Sequence, residues 1–257
     1  MTASTDHRAL TKLGRAIRAT TEGATVLAGH REGHRQTNWL RDVILGGQDG
    51  LVNILGIILG VIAGGGSDVV LLTAGFAAAI TESISMAAVG YTSSVSERDY
   101  YEAEKARETA EISTVPDAER QEIRDIYAAK GFSGELLDGV VDTITANRET
   151  WLETMMDEEL HLQPVQSRDI LRTAVVIGIA TLIGHLIPLV PFMFLARTPA
   201  LILAIVLSAV ALFGVGAYTA VTLVGDWRRS GLKFLAIGLG AAAIGFFVGR
   251  LFNATGA

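Results

Sequence analysis

The 257-residue sequence contains no cysteine, which excludes disulfide bonds and thiolate metal ligands. Any bound metal must be held by oxygen, imidazole nitrogen or thioether sulfur. The first 38 residues lack the continuous apolar core of a secretory signal, and we predict a mobile polar tail there. A net charge of −6 argues against nucleic acid as a partner.

Apolar residues make up half of the sequence and are concentrated in five long runs. Crossing the hydrocarbon core of a bilayer takes about 20 mostly apolar residues as a helix. Soluble helices of this length would carry a polar face, which these runs lack. We therefore predict an all-α, polytopic membrane protein with five transmembrane helices, over residues 40–63, 69–93, 170–195, 200–224 and 231–252.

An acidic block separates the second run from the third. Residues 97–169 hold 19 of the 27 acidic side chains and only eight Lys and Arg. The second span is predicted to continue as a helix to Ile112, and Thr114 is predicted to cap the next helix. Ser133 and Asn147 have the same capping chemistry, so two more helices are expected, the last of them reaching Leu162. The block therefore predicts a helical domain outside the membrane.

The domain division follows from these boundaries. We expect a tail over residues 1–38, the first two spans over 39–95, a cytoplasmic helical metal-binding domain over 96–166, and the last three spans over 167–257.

Basic residues in the short loops predict the orientation. Arg228 and Arg229 lie between the last two spans, with Lys233 at the far edge of that loop, and the N-terminal tail is also Arg-rich, whereas the loop after the first span has no basic residue. Because such residues favour the cytoplasmic side, we predict that the N-terminus and the acidic block are cytoplasmic. The compact loops favour a prokaryotic plasma membrane over a vacuolar membrane.

Two carboxylates lie inside predicted spans: Asp49 in the first and Glu82 in the second. Each is followed one turn later by another candidate ligand, Asn53 and Met86 respectively. Because burying a charge in lipid is costly, such residues usually line a pathway. The alternative is that they join helices to one another. His185, in the third span, could touch a pathway, but a packed neutral side chain is the preferred interpretation.

The acidic block offers a second set of candidate ligands. Like charges that share a helix face repel, so the arrangement favours a bound cation or a solvated surface. Composition alone favours the solvated surface. A single Glu158-x-x-His161 pair has the spacing of half a di-iron site. The candidate metal ligands are Glu104, Glu108, Glu111, Glu119, Glu122, Met155, Met156 and Glu159.

Glycines recur at four-residue spacing in the first and last spans, at 56, 60 and 64 and at 245 and 249. Small residues at this spacing allow close helix contact. The spacing leaves open whether the contact is within one chain or between two.

Several motifs resemble, in order, those of the vacuolar iron transporter family of plants and yeast. The resemblance covers Asn38 to Phe252. It rests on the runs Asp42–Leu51, Ser85–Tyr91, Ser96–Tyr101, Val115–Asp117, Trp151–Met156 and Pro188–Phe192.

The resemblance implies a homodimer of five-span protomers with the ion path at the dimer interface. It implies exchange of Fe²⁺, or Mn²⁺, for protons, with Asp49 and Met86 in the path and the acidic helices as the metal-collecting site. The metal is cargo, and no obligatory cofactor is expected. One departure is Ala78, where the plant transporters have glutamate; Glu82 is expected to replace that carboxylate.

The sequence therefore predicts a divalent iron transporter working by metal/proton antiport out of the cytoplasm, and not an enzyme. Its expected partners are the lipid bilayer, a second copy of the chain, metal ions and protons. The alternatives are a membrane-anchored di-iron carboxylate oxidase and a metal sensor without transport. The first would oxidise iron without any gradient, and the second would bind metal without moving it.

Overall fold

The computed structural model describes residues 38–222 and 225–255, and within these ranges the chain is helical, with no strand. The all-α prediction is confirmed for this part of the chain. The predicted tail lies outside the described residues, apart from Asn38, which begins the first helix.

Five helices are long and apolar enough to cross a membrane, as predicted. Their lengths, between 23 and 47 residues, match or exceed the roughly 20 residues that a span requires. The five are α1 (Asn38–Ala63), α2 (Asp68–Thr114), α6 (Ser167–Leu189), α8 (Arg197–Thr222) and α9 (Trp227–Thr255).

The second of these helices is far longer than a membrane is thick. With 47 residues α2 measures about 70 Å, against about 30 Å of hydrocarbon core. The Ser67 hydroxyl caps its start by accepting from the Val70 N–H at 3.3 Å. The predicted continuation of the second span to Ile112 is confirmed, and the expected domain boundary at residues 95/96 falls inside this helix.

The third span differs from the prediction. The apolar run 170–195 was expected to form one helix, but α6 ends at Leu189 and a short helix, α7 (Pro191–Phe194), follows. Pro191 lacks an N–H and cannot continue the hydrogen bonding of α6, whereas it fits the first turn of a new helix.

The chain between α2 and α6 folds into three short helices and a turn. These are α3 (Pro116–Ala129), α4 (Gly134–Thr145), α5 (Arg148–Thr154) and a π-helical turn (Met155–Glu159). We call these elements, with the end of α2 from Glu104 onward, the acidic unit. Its apolar core consists of Ile112, Ile123, Leu137, Val141, Trp151 and Met155.

The capping predictions for this unit have different outcomes. The Asn147 side chain accepts from the N–H groups of Glu149 and Thr150 and so caps α5 as predicted. Thr114 does not cap α3: it is the last residue of α2, and its hydroxyl donates to the Ala110 carbonyl at 3.0 Å. Ser133 precedes α4 without a side-chain cap.

The glycine motifs pack α1 against α9 within one chain. An added methyl group at Gly245 would collide with the backbone of Gly56, and one at Gly249 would collide with the backbone of Gly60. Small residues at this spacing permit such backbone contact. These glycines therefore serve a contact within the protomer.

Candidate ion path and acidic metal-binding cluster

The two carboxylates in the spans come from different helices and lie side by side. Glu82 on α2 accepts a hydrogen bond at Oε1 from the Asn53 amide on α1. Asp49, one turn before Asn53, lies within electrostatic reach of both Glu82 and His185. The structure thus brings together three of the four predicted path residues. Two acids in such contact can share a proton or jointly hold a cation.

The fourth, Met86, follows Glu82 by one turn and is half-buried. Residues four apart lie on the same helix face, so its thioether is placed beyond Glu82 along α2. Its place in the path rests on this spacing.

The sequence left two interpretations of His185, a packed side chain or contact with a pathway, and the structure shows both burial and a contact with Glu82, one of the predicted path residues. The side chain is fully buried on α6, and its Nε2 lies 2.8 Å from Oε2 of Glu82. The partners are 103 residues apart, so no local spacing connects them. The signal that could have found it is the rule that placed Asp49: an ionisable group inside a span is usually functional.

The acidic unit gathers three of the predicted glutamates. Glu108 and Glu111 on α2 and Glu119 on α3 each offer a carboxylate oxygen, and these atoms all lie within 4.8 Å of one another. Glu108 and Glu119 are buried, at 2% and 4% exposure. Oxygen ligands at this separation suit a divalent cation.

Two of these carboxylates are incompletely satisfied. Glu108 Oε2 and Glu119 Oε2 are buried and accept no hydrogen bond from the described part of the chain. A buried charge without partners is unfavourable, so the carboxyl holds its proton more tightly. Burial, with repulsion from Glu122, raises the pKa of Glu119 to about 7. The pKa of Glu159 is raised by the same two causes.

Arg107 supplies positive charge at the edge of the cluster. Its guanidinium lies 2.8 Å from Glu104, 3.6 Å from Glu108 and 3.7 Å from Glu111. The side chain is more than half exposed, which weakens these ion pairs.

The methionines of the acidic unit occupy two environments. Met155 is fully buried in the apolar core, against Ile123 and Trp151 among others. Met156 lines a polar cavity of about 400 Å³ together with Asp157 and Glu158. Both belong to the π-helical turn, a widened geometry that often occurs at functional sites. The contacts thus place Met155 in the core, and the three glutamates form the cluster.

Glu158 and His161, which have the spacing of half a di-iron site, contact residues outside the glutamate cluster. Glu158 pairs with Lys130, and the His161 Nδ1 lies 3.0 Å from the Asp157 carbonyl oxygen. Neither contact is to the glutamate cluster, so the geometry gives the oxidase alternative no support.

Comparison with known proteins agrees with the family resemblance. Residues 40–250 match the model of the VIT family. Vacuolar iron transporter 2 of Oryza sativa subsp. japonica is 37% identical over 178 residues, covering 68% of this chain and 72% of the relative. Vacuolar iron transporter 1 of Eucalyptus grandis is 33% identical over 227 residues, covering 88% and 91%. Vacuolar iron transporter 1 of Tulipa gesneriana is 36% identical over 199 residues, covering 76% and 81%.

These relatives are named as transporters, which agrees with the prediction of a transporter that is not an enzyme. The match spans all five apolar helices and both carboxylate sites. The chain belongs to the VIT family.

Proposed function

We propose that this protein transports Fe²⁺, and also Mn²⁺, across a membrane in exchange for protons. The observation that carries the proposal is the pair of carboxylates, Asp49 and Glu82, facing each other from two apolar helices. Membership of a family whose members are named iron transporters supplies the cargo.

The span carboxylates provide the coupling. A carboxyl group in a low-dielectric site favours its neutral form, and a bound cation favours the ionised form. Arrival of a metal ion between Asp49 and Glu82 therefore releases a proton, and protonation from the other side releases the metal. Asn53 holds Glu82 in place, and the Met86 thioether biases the path toward transition metals over Ca²⁺ or Mg²⁺.

Glu82 also accounts for the departure at Ala78. The two residues are one turn apart on α2, so they share a helix face. The Asn53 amide draws Glu82 toward α1, where Asp49 lies. We infer that Glu82 takes over the function of the carboxylate absent at position 78.

The acidic unit is proposed to collect the metal on the cytoplasmic side. Glu108, Glu111 and Glu119 form its centre, and Glu122 and Glu159 add negative charge around it. Glu104 and Arg107 lie at its edge, and Met156, which is not part of the apolar core, is the candidate thioether ligand. The unit raises the local metal concentration before transport.

The orientation and assembly belong to the same proposal. The N-terminus and the acidic unit face the cytoplasm, and metal leaves the cytoplasm. Two protomers form a dimer with the path between them. The relatives reported above are eukaryotic, so the prokaryotic plasma membrane stays a prediction from the compact loops alone.

Reconstitution in liposomes tests the function. Fe²⁺ uptake and lumenal pH are recorded together, with and without an acidic lumen. The proposal predicts uptake that requires the acidic lumen and raises the lumenal pH as metal enters. Metal binding without uptake would favour a sensor, and oxygen-dependent Fe²⁺ oxidation in detergent would favour the oxidase.

A further inference from the structure

The imidazole of His185 is buried among the membrane helices, and each of its two nitrogens contacts an oxygen atom. Its Nδ1 lies 2.8 Å from the carbonyl oxygen of Thr181, one turn earlier on α6. A carbonyl only accepts, so Nδ1 carries the proton of this bond. Its Nε2 lies 2.8 Å from Oε2 of Glu82, so the proton of this second bond is carried either by Nε2 of a doubly protonated ring or by the Glu82 carboxyl group. The ring is therefore fixed in orientation by its own helix and presents Nε2 to Glu82.

This contact completes the fixation of Glu82. One carboxylate oxygen accepts from Asn53 on α1, and the other is paired with His185 on α6. The carboxylate is thus held between two neighbouring helices. Because Nε2 is already paired with Glu82, it could bind an ion directly only by breaking that contact. The geometry favours a residue that acts through Glu82 over a direct ligand.

Two glycines, one on α1 and one on α6, leave room for the His185 imidazole between the helices. An added methyl group at Gly50 would lie 2.7 Å from Nδ1 of His185, far closer than real contacts allow. On the other helix, a methyl group at Gly184 would lie 3.0 Å from the Leu51 nitrogen. The absence of side chains at both positions lets α6 approach α1 closely enough for His185 to extend to α2.

We propose that His185 is a positioning residue of the ion path: it holds the Glu82 carboxylate beside Asp49, so that the third span takes part in transport. The inference rests on the proposed transport function, which it deepens. Loss of the imidazole frees Glu82 to adopt other rotamers, and a misplaced carboxylate slows transfer of the ion.

The test measures initial Fe²⁺ uptake in liposomes with an acidic lumen against Fe²⁺ concentration. His185→Leu should lower the maximal rate about 10- to 100-fold, the range expected for an angstrom-scale misplacement. His185→Gln should recover much of the rate, because its side-chain amide can donate to an ionised Glu82 or accept from a protonated one. The matched control is Thr181→Val, which removes a buried hydroxyl from the same contact but keeps the backbone carbonyl that His185 uses.

A double-mutant cycle with Glu82→Gln separates positioning from general packing. If His185 acts through Glu82, adding His185→Leu to Glu82→Gln costs no further rate. If His185 only packs α6, the losses multiply, Gln does not rescue, and the inference is overturned. Monodisperse elution and wild-type Co²⁺ binding by the acidic unit show that each variant is folded.

The two proposals fail in distinguishable ways. Normal uptake by His185→Leu beside active wild-type protein overturns the positioning role alone. No uptake by folded wild-type protein overturns the transport function and this inference with it.

Discussion

The protein contains two carboxylate sites, and they differ in whether their oxygens have partners. In the spans, Glu82 has an N–H or imidazole partner at each oxygen, from Asn53 and His185. In the acidic unit, Glu108 and Glu119 each keep one buried oxygen without a hydrogen bond from the described chain. A site that is already satisfied can release an ion easily, whereas an unsatisfied one gains most from binding it. Satisfied oxygens in the spans therefore suit an ion that must pass through, and unsatisfied oxygens in the acidic unit suit an ion that must be bound and held.

The helices that form the two sites are also held together by different contacts. The span site depends on backbone contact at glycines, which fixes three helices at short distance. The acidic unit is joined by exposed ion pairs such as Arg124 to Asp138, at 2.5 Å, and by one small apolar core. Exposed ion pairs contribute little, so the acidic unit has more freedom to adjust to a metal.

The largest effect is expected from Gly50→Ala. The added methyl group meets the Thr181 carbonyl and the His185 ring, so α1 and α6 must separate and the span site is lost. Uptake should fall to the level of protein-free liposomes, while Co²⁺ binding by the acidic unit persists. Gly214→Ala is the control, since nothing lies within 4 Å of its added methyl. Wild-type uptake by Gly50→Ala would show that the close approach is not required.

A smaller effect is expected from Glu119→Gln in the acidic unit. Removing one ligand charge from the cluster should weaken Co²⁺ or Mn²⁺ binding at least about tenfold, as measured by calorimetry in detergent. The span site is untouched, so uptake at saturating Fe²⁺ should persist with a higher KM. Glu135→Gln, an exposed acid at the start of α4, is the control. Equal weakening by both variants would indicate a diffuse acidic surface.

The raised pKa of Glu119 predicts how the metal-free acidic unit responds to pH. Its value is about 7 in the folded state against an ordinary 4.5, so the folded state binds more protons between these values. Stability of the unit should therefore be greatest at acidic pH and fall as the pH rises from 4.5 to about 7. Saturating metal should reverse this trend, because the cation stabilises the ionised form.

Trp151, in the apolar core of the acidic unit, reports this transition. Its fluorescence during thermal unfolding can be followed after Trp39 and Trp227 are replaced by Phe. The slope against pH should become shallower in Glu119→Gln. A melting temperature that rises with pH in the metal-free protein would contradict the assignment.

The smallest effect is expected from Arg107→Gln. The guanidinium competes with a cation for Glu104, Glu108 and Glu111, but it is largely exposed. Its loss should tighten divalent-metal binding by about two- to fivefold, the range typical of exposed ion pairs. Weaker binding in Arg107→Gln would mean that the arginine organises the glutamates instead. Arg98→Gln, an exposed arginine paired with Asp99 outside the cluster, is the control.

Much of this architecture can be predicted from the sequence because its signals are local. The five spans follow from apolar runs, and the extension of α2 follows from its unbroken helical composition. The contact between Asn53 and Glu82 follows less directly, from the rule that polar groups in lipid seek one another.

Other features depend on contacts distant in sequence. His185 finds Glu82 across 103 residues, and only the packed helices show that its neighbours are glycines. The π-helical turn and the burial of Met155 likewise depend on the core that α5 meets. Charge spacing alone could not show which glutamates would be buried and which, like Glu122, would be exposed.

The central claim is that the span site passes the metal and the acidic unit collects it. The most direct test compares Asp49→Ala with Glu119→Gln. For each variant, Co²⁺ binding is measured in detergent and Fe²⁺ uptake is measured in liposomes with an acidic lumen. We predict opposite results, with Asp49→Ala binding like the wild type but not transporting, and Glu119→Gln binding weakly but transporting at saturating Fe²⁺. Normal iron flux through Asp49→Ala would contradict the assignment of the path.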